Sequence, residues 1–231
     1  PALDGAPEKQ QCRRYDGSAF PAEVSAARLQ WQGRGMIMLQ LHNVEERERY
    51  QASLMRQAYC DEVTGLPNRA LLAERMARGL AAAKRYGYFC GLLFIDLDHF
   101  KRVNDSLGHA GGDALLRKVG ERLKEIARHS DTTARFGGDE FVIFLDRISG
   151  RSEAVKCARR VLDAFEQPVL VDDRQLVVSA TVGVALFPAD GETPEQLLKN
   201  ADAAMYEAKA RGRKRIGFYG RASGFRLERH L

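Results

Sequence analysis

The run Arg135-Phe-Gly-Gly-Asp-Glu-Phe141 puts two adjacent carboxylates beside a double glycine, between segments that read as strands, Thr132–Phe136 and Glu140–Leu145. A Gly-Gly pair there favours a tight hairpin, because glycine tolerates the positive φ angles that such turns need. The hairpin tip then presents bare backbone beside two acids, Asp139 and Glu140, able to hold a hard cation. That suits a bulky, metal-bound phosphate ligand better than it suits a core.

From Asp61 onward the chain alternates between α and β patterns. A helix is expected from about Asn68 to Arg85, then a nearly continuous apolar strand at Cys90–Leu97, whose composition marks it as central. A helix over Gly112–Arg128 follows, with Leu115, Leu116, Val119, Leu123 and Ile126 on one stripe. After the hairpin come a helix at Ser152–Glu166, ending before Pro168, and an alternating strand at Gln175–Phe187. Thr193-Pro-Glu-Gln196 reads as a capped helix start, with Gln196 closing a capping box. That helix ends near Gly212, and Ile216–Tyr219 can add a last strand. The core order is βαββαβ, an α/β (α+β) ferredoxin-like split βαβ sheet with its helices expected mainly on one face.

Residues 12–43 read differently, as three short strands at Cys12–Tyr15, Phe20–Gln30 and Met36–His42. An antiparallel sheet this small cannot bury both faces, so it must pack on absent segments, the rest of the chain or a second copy. Residues 44–60 are charged and helix-prone, a connector that could pair with its equivalent in a dimer.

Composition narrows the partners. A net charge of +5 over 231 residues points mildly to anionic ligands. The basic stretch Arg211–Arg215 lacks the aromatic platform of a nucleic-acid surface, so no nucleic-acid partner is expected. Four scattered cysteines read as reduced thiols of a cytoplasmic protein. No apolar run approaches the roughly 18 residues of a membrane span. The amino end has no signal-peptide pattern and begins as if cut from a longer protein, one that could be membrane-associated.

The strand at Cys90–Leu97 abruptly carries Asp96, followed by Asp98. Buried carboxylates need compensation, either from basic side chains such as Lys101 or Lys209 or from a cation. Oxygen-only ligands point to Mg²⁺ or Mn²⁺. If this strand and the hairpin are neighbours, Asp96, Asp139 and Glu140 converge at one sheet edge. After it, backbone N–H groups and the Lys101 ammonium can face a phosphate. Asn104 and Asp113 could read a guanine edge, or could equally be a turn former and a helix first-turn acid.

Together DEVTGLPNR, FIDLDHFKRVND, LGHAGGD, RFGGDEF and ADAAMYEAKARGR, in that order over about Asp61–Tyr219, resemble the GGDEF family of diguanylate cyclases. The resemblance implies a nucleotidyl-cyclase palm-type sheet. It implies that Asp96 and Asp139, with the Leu97 carbonyl, hold divalent metal, and that Glu140 is a further ligand or activates a 3′-hydroxyl. Phe100 and Lys101 (through backbone amides), Lys209 and Arg213 would hold the triphosphate of GTP. Asn104 and Asp113 would read its guanine, and Gly137 and Gly138 would let it approach. The implied reaction joins two GTP into cyclic di-GMP across a homodimer. Arg128-His-Ser-Asp131 matches the family's RxxD product-inhibition site, with Arg160 as a supplementary arginine; the plainer reading is an Arg–Asp surface pair.

Residues 1–43 look like the last half of a PAS sensory domain, residues 44–60 a signalling helix, and residues 61–219 the GGDEF domain. Residues 220–231 resemble the lead-in to a downstream phosphodiesterase domain. Two departures are Val63 for the family's usual Leu, and Lys214 where Asn commonly follows Gly-Arg. The alternative to a cyclase is a GTP-binding regulatory module that controls an adjoining phosphodiesterase domain.

Overall fold

The computed structural model describes residues 5–171 and 174–220; the 221–231 tail read as a lead-in lies outside the described residues. The chain divides into two compact units after Ala58. In the first, β1 (Glu8–Arg13), β2 (Ala19–Trp31) and β3 (Arg34–Asn43) form an antiparallel sheet in that order, followed by α1 (Glu45–Tyr59). The first strand lies earlier than the Cys12–Tyr15 pattern suggests. Asp16 accepts from both the N–H and the hydroxyl of Ser18, and that turn claims Tyr15. Ala22, Val24 and Ala26 of β2 are buried, whereas Ile37, Leu39 and Leu41 of β3 remain exposed.

The second unit begins with α2 (Arg69–Tyr86), β4 (Phe89–Asp98), α3 (Phe100–Ile126), β5 (Thr132–Gly137) and β6 (Glu140–Ile148). It continues with α4 (Arg151–Glu166), β7 (Val169–Val171), β8 (Arg174–Leu176), β9 (Ser179–Phe187), α5 (Pro194–Ala210) and β10 (Ile216–Phe218). Five strands form one sheet in the order β10-β9-β4-β6-β5, parallel only between β9 and β10. Strands β9-β4-β6-β5 are the split βαβ core, with β4 at its centre. The helices cover both faces, correcting the expectation of one. Leu93, Ile95 and Leu97 of β4 face α3 and α4, while Leu92 and Phe94 face α2 and α5. A strand buried on both sides has no polar alternation, which is why β4 reads as a continuous apolar run.

Caps fix several helix ends. The Asn68 side chain accepts from the N–H groups of Ala70 and Leu71, starting α2. Thr193 caps α5, and Gln196 turns back to the N–H of Glu192 rather than to that of Thr193 itself. Three further boundaries differ from the sequence reading. Helix α3 starts at Phe100, directly after the strand, and is broken at Gly108 with φ 73°. Val169–Val171 pairs with Arg174–Leu176 as a small hairpin, so the strand expected over Gln175–Phe187 is interrupted before Ser179. All four cysteines are free. No helix among the described residues is long and apolar enough to cross a membrane.

Helix α5 lies unusually close to β9. A Cβ added at Gly183 would stand 2.0 Å from the Ala201 carbonyl and 2.4 Å from the Met205 nitrogen. This close approach delivers Lys209, one turn beyond Met205, to the carboxylates at the end of β4.

Candidate active site

The register of β4 and β6 sets Asp96 directly opposite Glu140. Gly137 pairs with Glu140, so the turn consists of Gly138 and Asp139. Gly138 has φ 51°, a left-handed conformation that glycine adopts without Cβ strain. The Asp139 carbonyl accepts from the Leu97 N–H at 3.3 Å, tying the tip to β4. A Cβ added at Gly137 or Gly138 would meet nothing within 4 Å, so the backbone of the tip is open to a ligand.

Asp96 is 6% exposed and accepts from the Lys209 ammonium at 2.6 Å. Burial pushes its carboxyl above the ordinary value, helped by repulsion from Asp139 and Asp98 and opposed by Lys209. Burial also raises Glu140, together with the charges of Asp96, Asp202 and Asp139. Asp98 is equally buried but is compensated differently: the hydroxyls of Ser179 and Thr181 each donate to it at 2.8 Å. It is therefore satisfied by neutral donors, and of the two acids on this strand Asp96 is the one that meets the hairpin acids.

The first turn of α3 begins at Phe100 and Lys101, behind His99, and no side chain caps it. Its N–H groups thus form a helix N-terminus beside the acids, a natural place for phosphate. The break at Gly108 folds the helix so that Asn104 rests on Gly112, whose added Cβ would lie 1.8 Å from the Asn104 Oδ1. Gly112 makes room for Asn104 next to Asp113. Arg213 and Lys214 follow α5 with φ of 52° and 47°. The Arg213 Nε lies 4.0 Å from Asp98 Oδ1, and the Lys214 N–H donates to Asp98 Oδ2 at 3.4 Å.

The left-handed backbone explains why Asn is the better fit where this chain has Lys214. A left-handed residue costs an ordinary side chain about 1–2 kcal/mol, and Asn less. Lys214→Asn keeps the N–H to Asp98, so it should stabilise the domain by about 0.5–1 kcal/mol, raising the unfolding midpoint by about 2 °C. Calorimetry checks this, and a lowered midpoint would contradict it.

Arg128 and Asp131 do not pair through their side chains. Asp131 accepts from the backbone N–H groups of Arg128 at 2.9 Å and Asp146 at 3.3 Å, while the Arg128 guanidinium pairs with Glu153. A cavity of about 180 Å³ joins Arg128, Asp131, Glu153, Lys156 and Arg160. A larger one, about 910 Å³, also borders Arg128 and Asp131 and is lined by Arg75, Arg78, Lys124 and Arg147. It also takes in Thr133, whose buried Oγ1 has no hydrogen-bond partner among the described residues.

Residues 58–215 match the family described as diguanylate cyclase, GGDEF domain. The chain belongs to this family. Over 170 residues it is 44% identical to the Pseudomonas aeruginosa protein named cyclic di-GMP phosphodiesterase NbdA, covering 74% of this chain and 22% of that protein. Diguanylate cyclase TpbB of Pseudomonas aeruginosa is 42% identical over 168 residues, 71% of this chain and 39% of the relative. The chain thus spans well under half the length of these curated relatives. The crystal structure of the TpbB (YfiN) GGDEF domain superposes with a TM-score of 0.67 at 38% identity, over 69% of this chain and 99% of that one. The coiled coil and GGDEF domain of DgcB from Caulobacter crescentus, in complex with c-di-GMP, gives 0.68 at 26% identity, over 76% and 93% of the two chains.

Within this GGDEF domain, no three His, Cys, Asp or Glu side chains among the described residues stand ready to enclose an ion. The charge balance nevertheless fits one. Asp96 and Glu140 are both driven toward protonation by burial and by neighbouring acids, and one ammonium, that of Lys209, contacts Asp96. An all-oxygen set of this kind suits Mg²⁺ or Mn²⁺. Sequence reasoning missed Ser179 and Thr181, although their two-residue spacing on a strand is the signal that would have marked them as one face. It also missed Asp202 of α5, whose charge reaches Glu140.

Proposed function

We propose that this GGDEF domain is an active diguanylate cyclase, condensing two GTP into cyclic di-GMP with release of two pyrophosphates. The reading is carried by the register that sets Asp96 opposite Glu140, with Asp139 at the open tip and Lys209 above them. Two copies face one another, each presenting one GTP. The 3′-hydroxyl of each nucleotide attacks the α-phosphate of the other; the new P–O bond forms as the bond to pyrophosphate breaks. Asp96, Asp139 and the Leu97 carbonyl would hold the divalent ions, which would neutralise phosphate charge and lower the pKa of the attacking hydroxyl. Glu140 stands beside that centre as a further ligand or as acceptor of the hydroxyl proton. The Phe100 and Lys101 amides, Lys209 and Arg213 bind the triphosphate, with Lys209 turning from Asp96 to phosphate. Asn104 donates to and Asp113 accepts from the guanine edge. Incubation with GTP and Mg²⁺ followed by nucleotide separation tests this: cyclic di-GMP is expected, and bound but unchanged GTP would sink it.

Product inhibition is the second part of the proposal, at Arg128, Asp131 and Arg160. The two cavities and the orphan Thr133 hydroxyl beside this pair support it. An arginine fork on phosphate or guanine contributes about 1.5–3 kcal/mol, so Arg128→Ala should weaken inhibition by cyclic di-GMP at least about tenfold. Glu153→Gln, which releases the Arg128 guanidinium, should tighten it. Inhibition curves unaffected by either change would contradict the assignment.

Because NbdA bears a phosphodiesterase name, a second reading is a GTP-binding module that regulates an adjoining phosphodiesterase domain. GTP binding without product formation favours it. The amino-terminal sheet is read as the second half of a PAS sensory domain and α1 as its signalling helix, within a larger cytoplasmic or membrane-associated protein.

A further inference from the structure

Arg135 makes contacts that neither metal nor nucleotide binding accounts for. Its Nη1 donates to both carboxylate oxygens of Asp61 at 3.0 and 3.1 Å. Its Nε and Nη2 both donate to the Gly138 carbonyl, at 2.9 and 2.7 Å. One planar guanidinium thus braces the turn residue of the hairpin against a carboxylate 74 positions away in sequence. Only 11% of the Arg135 side chain and 22% of the Asp61 side chain is exposed, so water competes weakly for these bonds.

Asp61 is itself rigidly held. The Thr64 N–H and hydroxyl donate to its Oδ1 at 2.8 and 2.7 Å, and its own N–H donates to the Leu66 carbonyl at 2.8 Å. Burial opposes its ionisation, but the Thr64 bonds and the Arg135 guanidinium hold the carboxyl below its ordinary value. The Arg135 N–H donates to the Pro67 carbonyl at 3.0 Å, fastening the same loop to β5 from the backbone side. The tip has open space around Gly137 and Gly138; beside the strand pairing of Glu140 with Gly137 and Asp96, it is tied by the Leu97 N–H, which donates to the Asp139 carbonyl. The turn, Gly138 and Asp139, carries one of the proposed reacting acids, and the brace on the Gly138 carbonyl limits its tilt.

The geometry points to Arg135 as a positioning residue: braced by Asp61, it fixes the hairpin tip so that Asp139 and Glu140 stay over Asp96. Its effect on turnover rests on the cyclase reading, whereas its effect on the tip does not. Lysine cannot replace it fully, because an ammonium lacks the fork that reaches Asp61 and the Gly138 carbonyl together.

The test combines amide hydrogen exchange with steady-state kinetics on the full chain. In Arg135→Gln, exchange of the Leu97 amide, which is bonded to the tip, should quicken at least about tenfold, with central β4–β9 amides unchanged. The kcat for cyclic di-GMP should fall at least about tenfold with KM for GTP within about threefold, since a misplaced catalytic group slows reaction more than it weakens binding. Arg135→Lys should recover part of both effects. Asp61→Asn, which keeps an acceptor for Thr64, should loosen the tip in the same place if Arg135→Gln folds poorly. Unchanged Leu97 exchange in the variants, or loosening spread through the whole sheet, overturns the inference. If the unsubstituted chain forms no cyclic di-GMP while the tip responds as stated, the cyclase reading fails and the positioning role stands.

Discussion

Asp139→Ala should lower cyclic di-GMP formation by at least about 100-fold while leaving the unfolding midpoint within about 2 °C. The two effects separate because the carboxylate and the backbone of this residue do different jobs. The Asp139 carbonyl accepts from the Leu97 N–H, a bond that alanine keeps. The carboxylate adds negative charge beside Asp96 and Glu140, whose carboxyls burial already raises. Removing it relieves repulsion in the ligand-free fold and takes away a charge that a bound cation needs. An equally large loss of stability would assign Asp139 to the fold instead, and unchanged turnover would remove it from the chemistry. Parallel activity and calorimetric measurements distinguish these results.

Gly183→Ala should cost about 3 kcal/mol or more, a large effect for one added methyl group. The new Cβ would meet the Ala201 carbonyl at 2.0 Å and the Met205 nitrogen at 2.4 Å, both of them helix backbone that no rotamer change can move aside. Helix α5 must therefore lift from β9, at the expense of Leu197, Ala201 and Met205 in the core. Lys209 would retreat from Asp96 with it, so residual activity should fall further than the folded fraction. Urea unfolding and turnover per folded molecule measure both losses. A variant as stable as the parent would show that the close approach of α5 is not what places Lys209.

The parts of the molecule that could be read from sequence are those whose cause is local. The apolar stripe from Leu115 to Ile126 announced the second half of α3, and the apolar run that carries Asp96 announced a central strand. The parts that could not be read depend on partners far along the chain. Phe100, Val103 and Leu107 do stand at helical spacing, but the turn formers Asn104 and Asp105 and the glycine at 108 masked that short stripe, so the start of α3 at Phe100 and its break at Gly108 went unread. The three-residue strands β7 and β8 are too short for any periodicity to register. Asp96 and Asp98 look alike in sequence, yet one meets Lys209 and the hairpin acids while the other is satisfied by two hydroxyls from β9. Likewise, nothing local shows that Arg135 reaches Asp61, and the tool for finding such a pair is the fold itself.

The central claim is that this domain holds half of an active site and completes it with a second copy. The direct measurement is the rate of cyclic di-GMP formation per molecule, with GTP and Mg²⁺, across a range of protein concentrations and alongside sedimentation of the same samples. The rate per molecule should rise with concentration and level off as the dimer fills. Full activity in samples that sediment as monomer, or no product even where the dimer predominates, would contradict it.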